Sequence, residues 1–157
     1  MAELQKVNRE LNSYKIELEQ TRGYLQCILQ NSADMIFATE VGGILISFSK
    51  GGEKVLGYSW EEAAGQPIEG FAEDPESFRR VLATCREEGY AIALDMHFRH
   101  KDGARVHCNT SLMDLTNREG QTVCTVGICQ DITQWKRLQE DLVQVDRLAE
   151  IGRIAAG

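Results

Sequence analysis

Three histidines are the residues of this sequence best suited to hold a metal ion. His97 and His107 lie on two stretches that are predicted to pair as strands, at positions that place both side chains on the same face of the sheet. His100 lies near the turn between the two strands. Converging imidazole nitrogens bind transition metals. The same positions also place these side chains on the exposed side of an antiparallel sheet, where polar residues are ordinary. We favour this second interpretation and predict no metal site.

Cysteine thiols are a rival set of ligands. The chain has five cysteines, an odd number, with no C-x-x-C pair and no C-x-x-C-H haem-attachment motif. Cys85, Cys108 and Cys124 occupy positions that could all point inward. Buried cysteine behaves as a small apolar residue, so we interpret the five as reduced packing residues of a cytoplasmic protein.

The net charge of the chain argues against nucleic acid as a partner. Lys and Arg number 17 and Asp and Glu number 24, which gives −7. Residues 1–29 and 134–157 each contain four basic and four acidic residues, so the whole excess lies in residues 30–133. An acidic surface repels a phosphate backbone. No apolar run approaches the ~18 residues that cross a bilayer, so we expect no membrane contact either.

The elements around this acidic centre begin with a heptad pattern that predicts a dimer seam. Two rows of mostly apolar residues repeat every seven positions: Leu4, Leu11, Leu18 and Leu25, and, offset by three, Val7, Tyr14, Thr21 and Ile28. In a parallel pair Glu10 would face Lys15 of the other chain, and Glu17 would likewise face Arg22. We therefore predict a parallel homodimer. The alternative is a single amphipathic helix that lies on its own domain.

Residues 134–157 carry heptads with a wider apolar stripe. The predicted seam contains Leu138, Leu142 and Val145, and the stripe is widened by Leu148 and Ile151. A wide stripe is typical of a helix with two neighbours, as in a four-helix bundle. Because the apolar pattern is unfinished at the last residue, we expect the sequence to be a fragment of a longer protein.

The central segment predicts an α+β domain. Two short apolar runs separated by Gly42-Gly43 predict a hairpin, and short helices punctuated by Ser, Pro and Gly follow. From Ala91 the period changes to two, and three strands end near Gln130. One side of the first of these strands is predicted to carry Ile92, Leu94, Met96 and Phe98. This order predicts a five-stranded antiparallel sheet with short helices on one face, flanked by coiled-coil helices.

Three motifs of this segment resemble the PAS sensor-domain family. They are residues 48–67, the hairpin Phe-Arg-His-Lys-Asp-Gly at 98–103, and Gly-Ile-Cys-Gln-Asp-Ile-Thr at 127–133. Their order and spacing extend the resemblance over roughly residues 24–133. One departure is Ser49, where many members carry Asn. The resemblance implies the PAS fold.

The last eleven residues resemble a second family. Residues 147–157, Arg-Leu-Ala-Glu-Ile-Gly-Arg-Ile-Ala-Ala-Gly, are similar to the start of the dimerisation and phosphoacceptor helix of sensor histidine kinases. This implies a kinase parent, with downstream kinase domains and a response regulator as partners. The phosphorylated His of that family lies a few residues further on, so we predict no catalytic residue and no kinase activity for this chain. A diguanylate cyclase parent is a lesser alternative.

PAS domains bind haem, flavin, small organic molecules or nothing, and some bind iron–sulfur clusters through Cys. The similar haem proteins use a His of the long helix, and residues 74–88 contain none. The light-sensing members carry Gly-x-Asn-Cys-Arg, whereas Cys85 lies in Ala-Thr-Cys-Arg-Glu. We therefore expect neither haem nor covalent flavin, which leaves a small organic ligand or no ligand. The candidate pocket residues are Ile36, Val81, Cys85, Met96, Phe98, Cys108 and Val126.

The predicted exit for a signal is the junction of Asp131, Ile132 and Thr133 with the last helix. Asp131 can cap that helix. In the PAS family the acidic residue commonly pairs with a base on the sheet, and the candidates are Arg99, Lys101 and Arg105. We expect a change in sheet packing to alter the angle or rotation of the exit helix.

Two functions remain open. The first is a sensory module that responds to a ligand or to redox state and signals to a two-component kinase. The second is a ligand-free module that relays movement from an upstream domain. Both divide the chain into an N-terminal signalling helix (residues 1–29), a PAS domain (30–133) and a C-terminal signalling helix (134–157) that leads into a truncated kinase dimerisation domain.

Overall fold

The structure is a computed structural model that describes residues 1–156. In chain order the elements are α1 (Ala2–Asn31), β1 (Met35–Thr39), β2 (Leu45–Phe48), α2 (Lys50–Leu56), α3 (Trp60–Ala63), a 3-10 turn (Ile68–Phe71), α4 (Pro75–Glu88), β3 (Tyr90–Arg99), β4 (Arg105–Thr116), β5 (Thr122–Asp131) and α5 (Thr133–Ala156). Gly157, the last of residues 147–157 that resemble the start of a histidine kinase dimerisation helix, lies outside the described residues.

The five strands form one antiparallel sheet in the order β2-β1-β5-β4-β3. Helices α2, α3 and α4 cover one side of it, which we name the core face; the opposite side is the outer face. The predicted α+β fold with an antiparallel sheet and helices at both ends is therefore confirmed.

Aromatic rings fill much of the core face. Phe78 of α4 meets Phe98 of β3 edge-on, with ring centroids 5.9 Å apart. Phe37 of β1 lies against Gly127 of β5, and a Cβ at that glycine would overlap the ring. All three rings are buried. The sheet and α4 are thus held together by large apolar side chains, each of which stabilises the fold by about 1.5–3 kcal/mol when fully buried.

Local sequence explains where α4 begins and ends. Pro75 occupies the first turn, where its missing N–H costs no hydrogen bond. Gly89 follows the helix with φ of +88°, a left-handed conformation that glycine adopts without strain. The chain then turns directly into β3.

Strand β3 contains a bulge that the alternation of its residues did not predict. Ala91 faces the core, whereas Ile92 and Leu94 are exposed. Two residues, Leu94 and Asp95, stand opposite the single Asn109 of β4, and Asp95 has φ of +52°. The prediction that Ile92, Leu94, Met96 and Phe98 share one face is therefore wrong. The extra residue moves the side chains before the bulge to the opposite face from those after it.

The two long helices leave the domain with their apolar residues exposed. Helix α1 has no buried residue, and α5 contacts the sheet only near its start. None of the helices in the described part of the chain is both long enough and apolar enough to cross a bilayer.

Candidate functional site

The junction between β5 and α5 is built from three consecutive residues. The carboxylate of Asp131 accepts hydrogen bonds from the backbone N–H of Thr133 at 2.9 Å and from its hydroxyl at 2.6 Å. Ile132 between them is buried. Asp131 therefore caps the start of the exit helix, since its oxygen satisfies an N–H that has no partner within the helix.

His107 of β4 links the sheet to this junction through its backbone. Its carbonyl accepts a hydrogen bond from the N–H of Ile132 at 2.7 Å. Its own N–H donates to the hydroxyl of Thr133 at 2.9 Å. The start of α5 is consequently attached to the neighbouring strand by two hydrogen bonds, in addition to its covalent continuity with β5.

The side chain of His107 adds a third link through Asp95. Nδ1 of His107 lies 2.7 Å from Oδ1 of Asp95, and the ammonium of Lys136 in α5 lies 3.0 Å from Oδ2. The hydrogen bonds from His107 and Lys136 lower the pKa of the Asp95 carboxyl to about 2. Asp95 therefore stays ionised at neutral pH and joins the β3 bulge to the first turn of α5.

The bases that were expected to pair with Asp131 have other partners. Arg105 and Arg99 both bind Glu73, and Lys101 binds Glu62. The ion pairs of residues 1–156 include none to Asp131. The prediction of such a pair is therefore wrong in its partners: a sheet acid and a helix base, Asp95 and Lys136, make the connection instead.

The structure divides the predicted pocket residues between the two faces of the sheet. Cys85, Met96, Phe98 and Cys108 are buried on the core face, and Val81 of α4 is half-buried against them. Ile36 and Val126 belong to the outer face, because the residues that alternate with them, Met35, Phe37, Thr125 and Gly127, are the buried ones. Their inclusion in the pocket is wrong, since one interior cannot be lined from both faces.

The cysteines are also divided between the faces. Cys124 lies on the outer face, whereas Cys129 lies in the core. Burial raises the pKa of the Cys129 thiol to about 12 and that of Cys108 further. Burial, and secondarily the negative charge of Asp114, raise the pKa of Cys85 to about 11. These thiols are protonated at neutral pH, which suits packing residues.

An aspartate that we did not single out from the sequence joins α4 to the sheet. Asp114 of β4 accepts hydrogen bonds from Nε of Arg86 at 2.7 Å and from the hydroxyl of Thr125 at 2.5 Å. Its side chain is 3% exposed. The sequence contained a signal for its position. Asp114 continues the spacing of two that places Cys108, Thr110 and Leu112 on the core face of β4, so its carboxylate could have been predicted to face the core.

An open groove lies beside this aspartate, between α4 and the hairpin of β1 and β2. Its lining includes Thr39, Leu82 and Arg86. The hydroxyl of Thr39 is buried and has no hydrogen-bond partner among the described residues. A polar ligand atom in the groove could satisfy it.

Comparison with known proteins identifies the family. The model of the PAS fold matches residues 23–132. The chain belongs to the PAS family. The crystal structure of a PAS domain from Colwellia psychrerythraea superimposes with a TM-score of 0.65 at 26% identity, covering 74% of this chain and 98% of that one.

Two curated proteins similar to this PAS chain are histidine kinases. The histidine-protein kinase AtoS of Escherichia coli is 25% identical over 155 residues, which is 99% of this chain and 25% of AtoS. Sensor histidine kinase TmoS of Ectopseudomonas mendocina is 23% identical over 96% of this chain and 16% of TmoS. The chain thus spans a quarter or less of these relatives, and the similarity includes the long helices on both sides of the PAS domain.

The predicted dimer seam lies on those two helices. Its residues are exposed by at least half in the single chain: Leu4, Leu11, Leu18, Leu25, Leu138, Leu142 and Val145. Large apolar patches on a soluble surface are typical of interaction sites.

Proposed function

We propose that this chain is the signal-relay PAS module of a bacterial two-component sensor histidine kinase. Residues 30–133 form the PAS module. Residues 1–29 form the N-terminal signalling helix, and residues 134–157 carry the signal toward a downstream kinase dimerisation domain. The observation that carries this proposal is the threefold attachment of His107 to the exit helix, through Ile132, Thr133 and the Asp95–Lys136 ion pair.

The attachment suits a relay because it spans two neighbouring strands. A shift of β4 relative to β5 moves the His107 backbone against Ile132 and Thr133. The first turn of α5 must then tilt or rotate to keep its hydrogen bonds. A rigid helix transmits that motion along its whole length.

The module works as a parallel homodimer in this proposal. The exposed leucine rows of α1 and α5 support it, since burying them against a second copy removes apolar area from water. Crossing charge pairs such as Glu10 with Lys15 favour the parallel arrangement. Reduced, buried thiols fit a cytoplasmic location, and a response regulator is the final partner.

The first experiment tests the junction in the full-length kinase. Asp131→Ala removes the cap and Thr133→Val removes the hydroxyl that His107 uses, and we expect each to shift the basal rate of autophosphorylation from ATP while the domain stays folded by circular dichroism. Asp141→Ala, an exposed acid further along α5, is the matched control. Wild-type rates in both junction variants would show that this junction is not the coupling point.

A companion experiment tests the assignment of catalysis to domains outside this chain. The purified chain, incubated with labelled ATP, should incorporate no phosphate. Phosphate transfer by the chain alone would overturn that assignment.

A second candidate function, a sensor of a small organic molecule, is favoured by the groove with the unpartnered Thr39 hydroxyl. Mass spectrometry of molecules released on denaturation, together with an absorption spectrum, separates the two. A bound organic species favours the sensor; an empty protein favours the relay, whose core the rings of Phe37, Phe78 and Phe98 already occupy.

A further inference from the structure

Two imidazoles and a carboxylate converge on the outer face beside the exit helix. His97 and His107 are direct cross-strand partners, and their rings make an edge-on contact with centroids 4.6 Å apart. The bulge of β3 brings Asp95 to the same place. The potential ligand atoms of these three residues all lie within 4.8 Å of one another.

One nitrogen of this cluster is buried without a hydrogen bond. Nε2 of His97 is buried and has no hydrogen-bond partner among the described residues, although Oδ1 of Asp95 lies 3.4 Å away. Buried polar atoms in folded proteins are nearly always satisfied, and an orphan atom calls for an explanation such as an ion. His107, in contrast, is within hydrogen-bond distance of the same carboxylate.

The sequence alone led us to expect exposed polar residues and no metal at these histidines; from the structure we propose that Asp95, His97 and His107 form a binding site for Zn²⁺. Zinc accepts imidazole nitrogen and carboxylate oxygen, and three protein ligands leave a fourth position for water. Imidazole ligands also select against Mg²⁺ and Ca²⁺, which prefer oxygen. The site goes beyond the relay function and does not depend on the kinase assignment.

Zinc at this site competes with Lys136 for Asp95. The ammonium lies 3.0 Å from Oδ2 of Asp95, so a cation bound to that carboxylate repels it. The nearby acid Glu73 is already held by Arg99 and Arg105. Binding therefore weakens the ion pair that joins the β3 bulge to the first turn of α5, which is a direct route from zinc to the output helix.

The test is a zinc titration of the tag-free chain by calorimetry, in a Cys27→Ser background because that thiol is exposed. We expect one Zn²⁺ per chain. His97→Gln, His107→Gln and Asp95→Asn should each weaken binding by about 10-fold or more, the scale on which even outer-shell changes act at zinc sites. His100→Gln is the matched control, because His100 bonds to Asp102 instead of this cluster; its affinity should equal that of the parent.

Lys136→Gln gives an effect of opposite sign. Removal of the competing ammonium should tighten zinc binding by about two- to fivefold, the range of an exposed ion pair. A misfolded variant cannot gain affinity, so this result is independent of folding defects. Co²⁺ as a probe should give a spectrum without thiolate charge-transfer bands.

Three results would overturn the site. They are zinc affinity unchanged in both His97→Gln and His107→Gln, equal loss of affinity in His100→Gln, and thiolate bands with Co²⁺. Unchanged or weaker affinity in Lys136→Gln would overturn the competition with α5.

Discussion

Asp114 and Asp95 each join a helix to the sheet, one on each face, and the two differ in burial. Asp114 on the core face has a side chain only 3% exposed and binds Arg86 of α4. Asp95 beside the outer face has a side chain 33% exposed and binds Lys136 of α5. One joins a helix that belongs to the core, the other a helix that leaves the domain.

Because of this difference in burial, the contact at Asp114 contributes more to the stability of the fold, and the contact at Asp95 can change more easily. Removal of one partner of a buried charge pair costs about 3–5 kcal/mol, because the other partner is left without compensation. An exposed pair is worth about 0–1 kcal/mol. The fold can therefore change the contact at Asp95 at little cost, whereas loss of the contact at Asp114 removes a buried link between α4 and the sheet at a higher cost.

The largest effect is expected for Asp114→Ala. The Thr125 hydroxyl loses its acceptor, and Arg86 loses the carboxylate but keeps the carbonyl of Val41 and the hydroxyl of Thr125. Because Arg86 is also 38% exposed and can turn to water, we expect the free energy of unfolding to fall by about 2–3 kcal/mol, below the range for fully buried pairs. Urea denaturation measures it. A loss below about 0.5 kcal/mol, the ordinary range of a surface substitution, would remove the distinction between the two aspartates.

A smaller loss is expected for Thr125→Val, which keeps the shape of the side chain and removes its hydroxyl. Asp114 would lose one buried hydrogen bond and keep Arg86, and Arg86 would lose a long, 3.4 Å bond to the same hydroxyl. The free energy of unfolding should therefore fall by about 1–2 kcal/mol. The double variant Asp114→Ala with Thr125→Val should cost less than the sum of the single changes, because the residues share one network. Strict additivity in the double-mutant cycle would contradict the network.

On the outer face, Asp95→Asn should change stability by only about 0.5–1 kcal/mol. Asn also tolerates the left-handed backbone at this position, so the bulge is preserved. The expected effect is local: faster hydrogen exchange of amides at the start of α5, reproduced by Lys136→Gln from the helix side. Wild-type exchange in both variants would mean that the ion pair does not restrain the helix.

The smallest effect is a pH dependence in the acid range. The folded pKa of Asp95, about 2, lies below its ordinary value of 3.8, so its ionised form favours folding. That contribution is complete above pH ~4 and is lost as pH falls toward ~2. The stability difference between wild type and Asp95→Asn should therefore narrow between pH 5 and pH 2; a difference that stays constant over this range would contradict the lowered pKa.

Much of the fold could be predicted from local patterns. Heptads marked both long helices, and the change to period two marked β3 to β5. The bulge was missed because the apolar residues Ile92, Leu94, Met96 and Phe98 keep a perfect spacing of two across it. An inserted residue is visible only when the partner strand is known, and here Asn109 faces two residues.

The candidate site was predicted in part. Residues 131–133 were recognised, and His97 and His107 were expected to be neighbours. The missing member was Asp95, which the alternation placed as one more polar residue on the exposed side. Its contact with Lys136 joins residues 41 positions apart in the chain, and no local pattern reports such a contact.

The sequence by itself determined the elements, the acidic centre between neutral heptad flanks, and the family. These depend on propensity and periodicity, which act between residues near in the chain. Tertiary structure alone decided which face Ile36 and Val126 occupy, which base meets which acid, and where the histidines meet a carboxylate. Those depend on strand register and on one bulge, and a shift of a single residue moves every later side chain to the opposite face.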